Sequence, residues 1–321
     1  MKNNPVIETT ELTKQFDDSI AVDRVNLKVN AGEIYGLIGP NGAGKTTLIR
    51  MLATAEEPTA GTMSICGMPL EPDRPDPKIQ RRLGFLPDDF PLYDDLNVVD
   101  YLDYFSRLYY LDEPELTQRV NEVLELVSLE NKRQSLISTL SRGMKQRLSL
   151  ARTIIYRPTL LLLDEPVSGL DPIARVQYRE TIKTLQSQGM TIFISSHILS
   201  DLEDFCTSIG IMERGRLVES SQLQALYDRD RTDQQIIITA LAKAANLKQV
   251  LQASSLVTNC EILPPKNSKA EKVCIRFTGT DEEAAQLLRS LIEQGFSVTE
   301  FAPVRENLED IFLKLGYRQT S

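Results

Sequence analysis

At 321 residues the chain is long for one compact core, which makes two domains the starting expectation. Its composition, 41% hydrophobic and 25% charged, is that of an ordinary globular protein. The formal charge of −9 excludes an overall basic character and argues against a nucleic-acid partner, since phosphate backbones are bound by clustered Lys and Arg.

Met1–Thr10 lacks the apolar stretch of a secretory signal. Val25–Val29 and Ile34–Ile38 read as strands, and Thr46–Ala53 as a helix opening from the Gly-rich turn before it. Glu71–Pro77 is a proline-rich loop ahead of Lys78–Leu83. Asn97–Val127 reads as largely helical, with Asn97 as its N-cap. A helix from Ser141, a buried strand at Leu160–Leu163, a helix from Pro172 and a strand at Thr191–Ile194 follow. Such alternation of strand and helix predicts an α/β core with largely parallel strands.

Beyond the charged linker Asp228–Asp233 the pattern changes. It predicts a strand near Gln235–Thr239, a helix near Ala244–Gln252, strands at Val257–Leu263 and Val273–Phe277 around a loop at Pro264–Lys272, a helix at Asp281–Gln294, a strand at Ser297–Phe301 and a last helix from Glu306. The expected organisation is residues 1–228 as the first domain, with helices concentrated in about 90–158, and 229–321 as a small α+β domain without catalytic residues of its own. No window approaches the roughly 20 apolar residues that span a bilayer, so a membrane role would run through another polypeptide. Cys66, Cys206, Cys260 and Cys274 form no CxxC pair, which fits a reducing compartment better than disulfides or zinc.

Gly39-Pro40-Asn41-Gly42-Ala43-Gly44-Lys45-Thr46-Thr47 is the sharpest chemical feature. A polyphosphate needs many donors in a concave space, and backbone N–H groups supply them only where no side chain obstructs. Gly39, Gly42 and Gly44 keep the wall bare, while the helix that opens at Lys45 points its positive end at the anion. Lys45 is placed to reach the β/γ-phosphates of ATP, and the Thr46 hydroxyl to ligate Mg2+. Four leucines at Leu160–Leu163 describe an interior strand, and the adjacent Asp164 and Glu165 at its end are costly unless a cation or a reaction occupies them. Asp164 is expected to hold Mg2+ through water, and Glu165 to act as general base on the attacking water. The single histidine, His197, follows another core strand, where nucleotide sites open in doubly wound sheets. It is expected to contact the γ-phosphate or to align Glu165.

Together these segments resemble the nucleotide-binding domain of the ATP-binding cassette (ABC) transporters, over roughly residues 5–225. The likeness rests on Phe16, Gly39–Thr47, Leu140-Ser141-Arg142-Gly143-Met144, Asp164-Glu165, Ser168-Gly169-Leu170-Asp171 and His197, all in the family's order. It implies a P-loop NTPase fold with a helical subdomain, adenine stacked on Phe16, and ATP hydrolysis with Mg2+. It also implies that Ser141 and Gly143 bind the γ-phosphate of ATP seated on a second subunit, with Asp171 in the loop between subunits. Ser141 is a good N-cap, so its helix offers a second anion-binding terminus. The stretch Glu306–Leu313 is similar to the ends of ATPases that serve drug, sodium or polysaccharide exporters. The implied setting is the cytoplasmic face of a membrane, beside a permease encoded separately.

The sequence departs from the family pattern in two places. Asp88 stands where a Gln usually contacts Mg2+ and water; aspartate ligates the metal but adds charge and offers no donor. Arg142 replaces the first glycine of the signature, where it is expected to add a phosphate or ribose contact, and Met144 replaces its glutamine. The competing readings are a non-transport ABC ATPase and a nucleotide-gated scaffold of low turnover. Against the former, the chain has one cassette, and the interval from Thr47 to Leu140 shows no sustained heptads.

Overall fold

The computed structural model describes residues 5–70, 76–229, 234–241, 244–263 and 271–304. Most of the Glu71–Pro77 loop, most of the 228–233 linker, most of the Pro264–Lys272 loop and the whole stretch from Glu306 lie outside these residues. The chain divides into two compact units between Leu223 and Gln224.

The first unit contains two sheets. Strands β1 (Pro5–Phe16) and β2 (Ser19–Asn30) form a tight antiparallel hairpin in which Phe16 faces Ser19. After β3 (Ile34–Ile38), helix α1 (Lys45–Leu52) starts from Gly44, and strands β4 (Ala60–Ile65) and β5 (Met68–Pro69) complete a 4-stranded antiparallel sheet in the order β2-β1-β4-β5. Only β2 of this sheet was predicted. Register shifts and a positive φ of 51° at Glu11 break the period-2 pattern of β1, so alternation does not betray it.

Next come the short helix α2 (Pro77–Gln80), β6 (Leu83–Leu86), α3 (Val98–Leu108), α4 (Glu115–Leu126), α5 (Arg142–Ile154), β7 (Leu160–Leu163), α6 (Pro172–Ser187), β8 (Thr191–Ser196), β9 (Ser208–Glu213) and β10 (Arg216–Gln222). The largely helical run expected over Asn97–Val127 is two helices: α3 stops at Leu108, Tyr110 takes a left-handed φ of 63°, and α4 starts only after Pro114. Helices α3, α4 and α5 pack together, and Arg119 bonds the Ile154 and Ile155 carbonyls at the end of α5 at 2.6 and 2.8 Å. The Arg152 guanidinium lies between Phe90 and Phe105, 3.9 and 4.1 Å from the ring centroids. These contacts fix the direction of α5.

The second sheet runs β10-β9-β3-β8-β7-β6, parallel throughout except for the edge strand β10. Every residue of β3, β7 and β8 is buried, the signature of parallel strands covered on both faces. Pairing aligns Ile38 with Ser196, Leu163 with Ile194 and Leu86 with Leu163. Parallel strands in that register bring the residues after β3, β6, β7 and β8 to one edge of the sheet. Sequence neighbours of four separate strands thereby become spatial neighbours.

Helix α7 (Leu223–Arg229) spans the division between the units. The second unit holds β11 (Gln234–Ala240), α8 (Ala244–Gln252), β12 (Val257–Leu263), β13 (Glu271–Phe277), α9 (Asp281–Glu293) and β14 (Val298–Val304). Its antiparallel sheet is ordered β12-β13-β11-β14, the ferredoxin-like βαββαβ arrangement. Ile236, Ile238, Ala240, Val273, Ile275 and Phe277 form its core with Leu247 and Leu251 of α8 and Leu291 of α9. Thr280 and Glu283 close a capping box at the start of α9.

Candidate nucleotide site

The edge where β3, β6, β7 and β8 end opens into a cleft of about 410 Å3 in the first unit. Its walls include Asn41–Thr47, Asp88, Glu165, Ser168 and His197, with Ala21 of β2. The turn after β3 needs glycine at Gly44, whose φ is 102° and where a Cβ would stand 2.2 Å from the Ala21 carbonyl oxygen. That turn leaves the first N–H groups of α1 unobstructed.

Lys45 is buried and donates to the carbonyls of Gly39 at 2.7 Å and Pro40 at 3.2 Å. Its Nζ also lies 3.3 Å from Glu165 Oε1. The other carboxylate oxygen, Oε2, is 2.7 Å from His197 Nδ1 and accepts the His197 backbone N–H at 3.4 Å. Glu165 holds φ at 47°, a conformation costly for a non-glycine residue and characteristic of functional turns. Asp164 is 1% exposed; its Oδ1 accepts from Ser195 Oγ at 2.7 Å and its Oδ2 has no partner. Ser195 Oγ also accepts the Glu165 N–H at 3.0 Å, so one buried hydroxyl spans both acidic residues.

Asp88 lies at the cleft after β6. Partial burial, and then the neighbouring Asp164 and Glu165 charges, push its carboxyl above the ordinary aspartate value, opposed by Arg142. No group of three or more His, Cys, Asp or Glu among the described residues forms a metal cage. Mg2+ does not require one, since it keeps waters and takes one or two protein oxygens plus phosphate.

Two expected residues have local roles. Ser141 caps α5, accepting from Met144 N–H at 3.3 Å, and Asp171 caps α6, accepting from Ala174 N–H at 2.9 Å. The two helix starts touch: a Cβ on Gly143 would stand 2.7 Å from that of Ala174. Arg142 donates through Nη2 to the Ser168 carbonyl of the same chain at 3.0 Å. Ser141, Arg142, Gly143 and Asp171 thus form a second group that does not line the cleft. Phe16 lies at the β1–β2 hairpin, also outside the lining, 44% exposed with Lys14 Nζ 4.8 Å from its ring centroid.

Sequence reasoning missed Ala21 and Ser195, and it placed Ser168 in the loop between subunits whereas Ser168 also lines the cleft. For Ser195 the available signal was a hydroxyl pair, Ser195-Ser196, closing an otherwise apolar strand. Ala21 contributes its backbone and carries no residue-type signal.

The family model described as ABC transporter matches residues 22–168. The Nod factor export ATP-binding protein I of Cupriavidus pinatubonensis is 33% identical over 98% of this chain and 91% of the relative. The bacitracin transport ATP-binding protein BcrA of Enterococcus faecalis is 33% identical over 97% of this chain and 96% of the relative. A solved ATP binding subunit of an ABC transporter superposes with a TM-score of 0.61 at 30% identity, covering 70% of this chain and 92% of that one. With that likeness running nearly end to end and the phosphate turn, Glu165 and the histidine converging on one cleft, the chain belongs to the ATP-binding, ATP-hydrolysing proteins of the ABC transporter family.

Proposed function

We propose that this chain drives an exporter whose permease is a separate polypeptide, and that it works as a pair closed by ATP. The observation that carries the reading is the separation of two anion-binding helix starts: α1 opens into the cleft, whereas α5, led by Ser141, does not line it. A nucleotide held by both requires two subunits, the α5 start of one facing the cleft of the other. Export is supported by the printed roles of the Nod factor and bacitracin relatives. No helix among the described residues is long and apolar enough to cross a membrane, which agrees with a separate permease and a peripheral place on its cytoplasmic face. Residues 1–228 then form the cassette, with 90–158 as its helical part, and 229–321 an accessory domain.

The residues present suit Mg2+: the Thr46 hydroxyl stands at the cleft, and Asp164 has one buried oxygen without a partner. When bound, the ion would neutralise charge on the β- and γ-phosphates, with Thr46 and Asp88 offering protein oxygens and Asp164 holding it through water. Before nucleotide arrives, Lys45 shares its charge with Glu165. A triphosphate that draws Lys45 Nζ away leaves Glu165 Oε1 free to accept a proton from water. His197 keeps the other oxygen in place. Glu165 is therefore the general base and His197 its orienting partner. Phe16, exposed at the hairpin, offers a ring for adenine.

The test is Glu165→Gln in the full chain. ATP binding is retained, turnover falls by about 100-fold or more, and a dimer accumulates with ATP on gel filtration. Normal turnover would remove Glu165 as the base; a monomer at saturating ATP would remove the pairing.

A further inference from the structure

Helix α6 carries two arginines one turn apart, and each meets an acid on the segment that follows His197. Arg179 Nη1 lies 2.6 Å from Asp204 Oδ2, an acid that is 67% exposed. Arg175 Nη1 lies 2.9 Å from Asp201 Oδ1, and that side chain is only 4% exposed. Asp201 closes a single 3-10 turn, Leu199–Asp201, that begins two residues after His197. The second nitrogen of the same guanidinium, Nη2, donates to the Leu170 carbonyl at 3.3 Å. Leu170 belongs to the loop that leaves Glu165, where Ser168 N–H donates to the Glu165 carbonyl at 3.1 Å.

One planar, rigid fork therefore joins the chain leaving Glu165 to the chain leaving His197. His197 is 36% exposed at the end of β8, and its 2.7 Å contact with Glu165 depends on the path taken after Ser196. Leu199 and Leu202, both fully buried, seat that path against the core. Both pairs are hydrogen-bonded, but Asp201 is a buried acid and Asp204 an exposed one, so the Arg175 pair anchors the path whereas the Arg179 pair ends at the surface, where exposed ion pairs fix little.

We propose that Arg175 is a positioning residue for hydrolysis, holding the His197 ring on the Glu165 carboxylate by tying Asp201 to the Leu170 carbonyl. Because Leu170 lies in the 168–171 loop, any contact that moves this loop is transmitted to His197 through the same guanidinium. The inference rests on the roles given above to Glu165 and His197.

His197 is the single histidine of the chain, so in protein freed of any tag one imidazole Cε1–H signal in a proton–carbon NMR spectrum reports its surroundings. Arg175→Ala is expected to lower turnover about tenfold while the ATP dissociation constant stays within about twofold, and to move the imidazole signal. Arg179→Ala is expected to do neither. In a His197→Ala background, Arg175→Ala should cost no more than about twofold, since residues acting through one another are not additive. Asp201→Asn, close to isosteric, repeats the test should the arginine variant fold poorly. An unmoved imidazole signal, equal effects of the two arginine variants, or the same tenfold loss without His197 would each overturn the proposal. If Glu165→Gln and His197→Ala both kept normal turnover, the roles of those two residues would fail instead, and the NMR arm would still report whether Arg175 orders the ring.

Discussion

Ser195→Ala removes one oxygen atom from a fully buried site and changes no packing volume of consequence. In the native protein that oxygen donates to Asp164 at 2.7 Å and accepts the Glu165 N–H at 3.0 Å. Asp164 Oδ2 already lacks a partner, so the substitution leaves a buried carboxylate without a hydrogen-bonded side chain at either oxygen. A bond to a charged group contributes about 1.5–3 kcal/mol, and an orphaned buried N–H costs about 1–3 kcal/mol. With relaxation and water entry, about 3 kcal/mol is the expected net loss. At about 2–4 °C per kcal/mol for a unit of this size, the melting temperature should fall by about 6–12 °C. Mg2+ with a non-hydrolysable ATP analogue supplies donors to Asp164 through the metal's water shell, so the gap to wild type should narrow on its addition. Thermal unfolding followed by circular dichroism, with and without that ligand, makes the measurement. A melting temperature within about 2 °C of wild type in the free protein would refute the reasoning, and a gap unchanged by ligand would refute the link to the metal.

Lys45→Ala should weaken ATP binding by about 100-fold, the loss of one charge-assisted contact to phosphate, and unchanged affinity in equilibrium titration would remove the phosphate cradle. Phe16→Ala should weaken ATP about fivefold while leaving inorganic triphosphate affinity unchanged, because only the nucleotide has a base to stack; equal losses for both ligands would rule out adenine stacking. Asp88 titrates above the ordinary aspartate value, so the folded chain holds its proton where the unfolded chain has released it, and its contribution to stability falls as pH rises through that window. Asp88→Asn should therefore melt higher than wild type near neutral pH without Mg2+, with the difference closing as the pH falls toward about 4. A variant that melts lower at neutral pH would contradict the repulsion from Asp164 and Glu165.

The chemistry that sequence alone determined is the chemistry carried by neighbours along the backbone. Gly39–Thr47 builds its donor wall from consecutive residues, Asp164 and Glu165 are adjacent at the end of one apolar strand, and His197 closes another. Each could be read because its spacing is its geometry. The alternating units likewise announced a parallel sheet, and the shift of pattern after residue 228 is the ground for expecting a second architecture.

Tertiary structure decided what meets across the strands. Ser195 reaches Asp164 and Glu165 only because β8 lies beside β7 in parallel register. Packing of α5 beside the 168–171 loop brings Arg142 to the Ser168 carbonyl, a bond that no motif announces. Arg175 carried no motif at all, and its two bonds join residues far apart in the chain. The hairpin bearing Phe16 was hidden by its bulged register. A side chain's partners across a sheet or between helices are fixed by register and packing, and neither is written in the order of residues along a single strand.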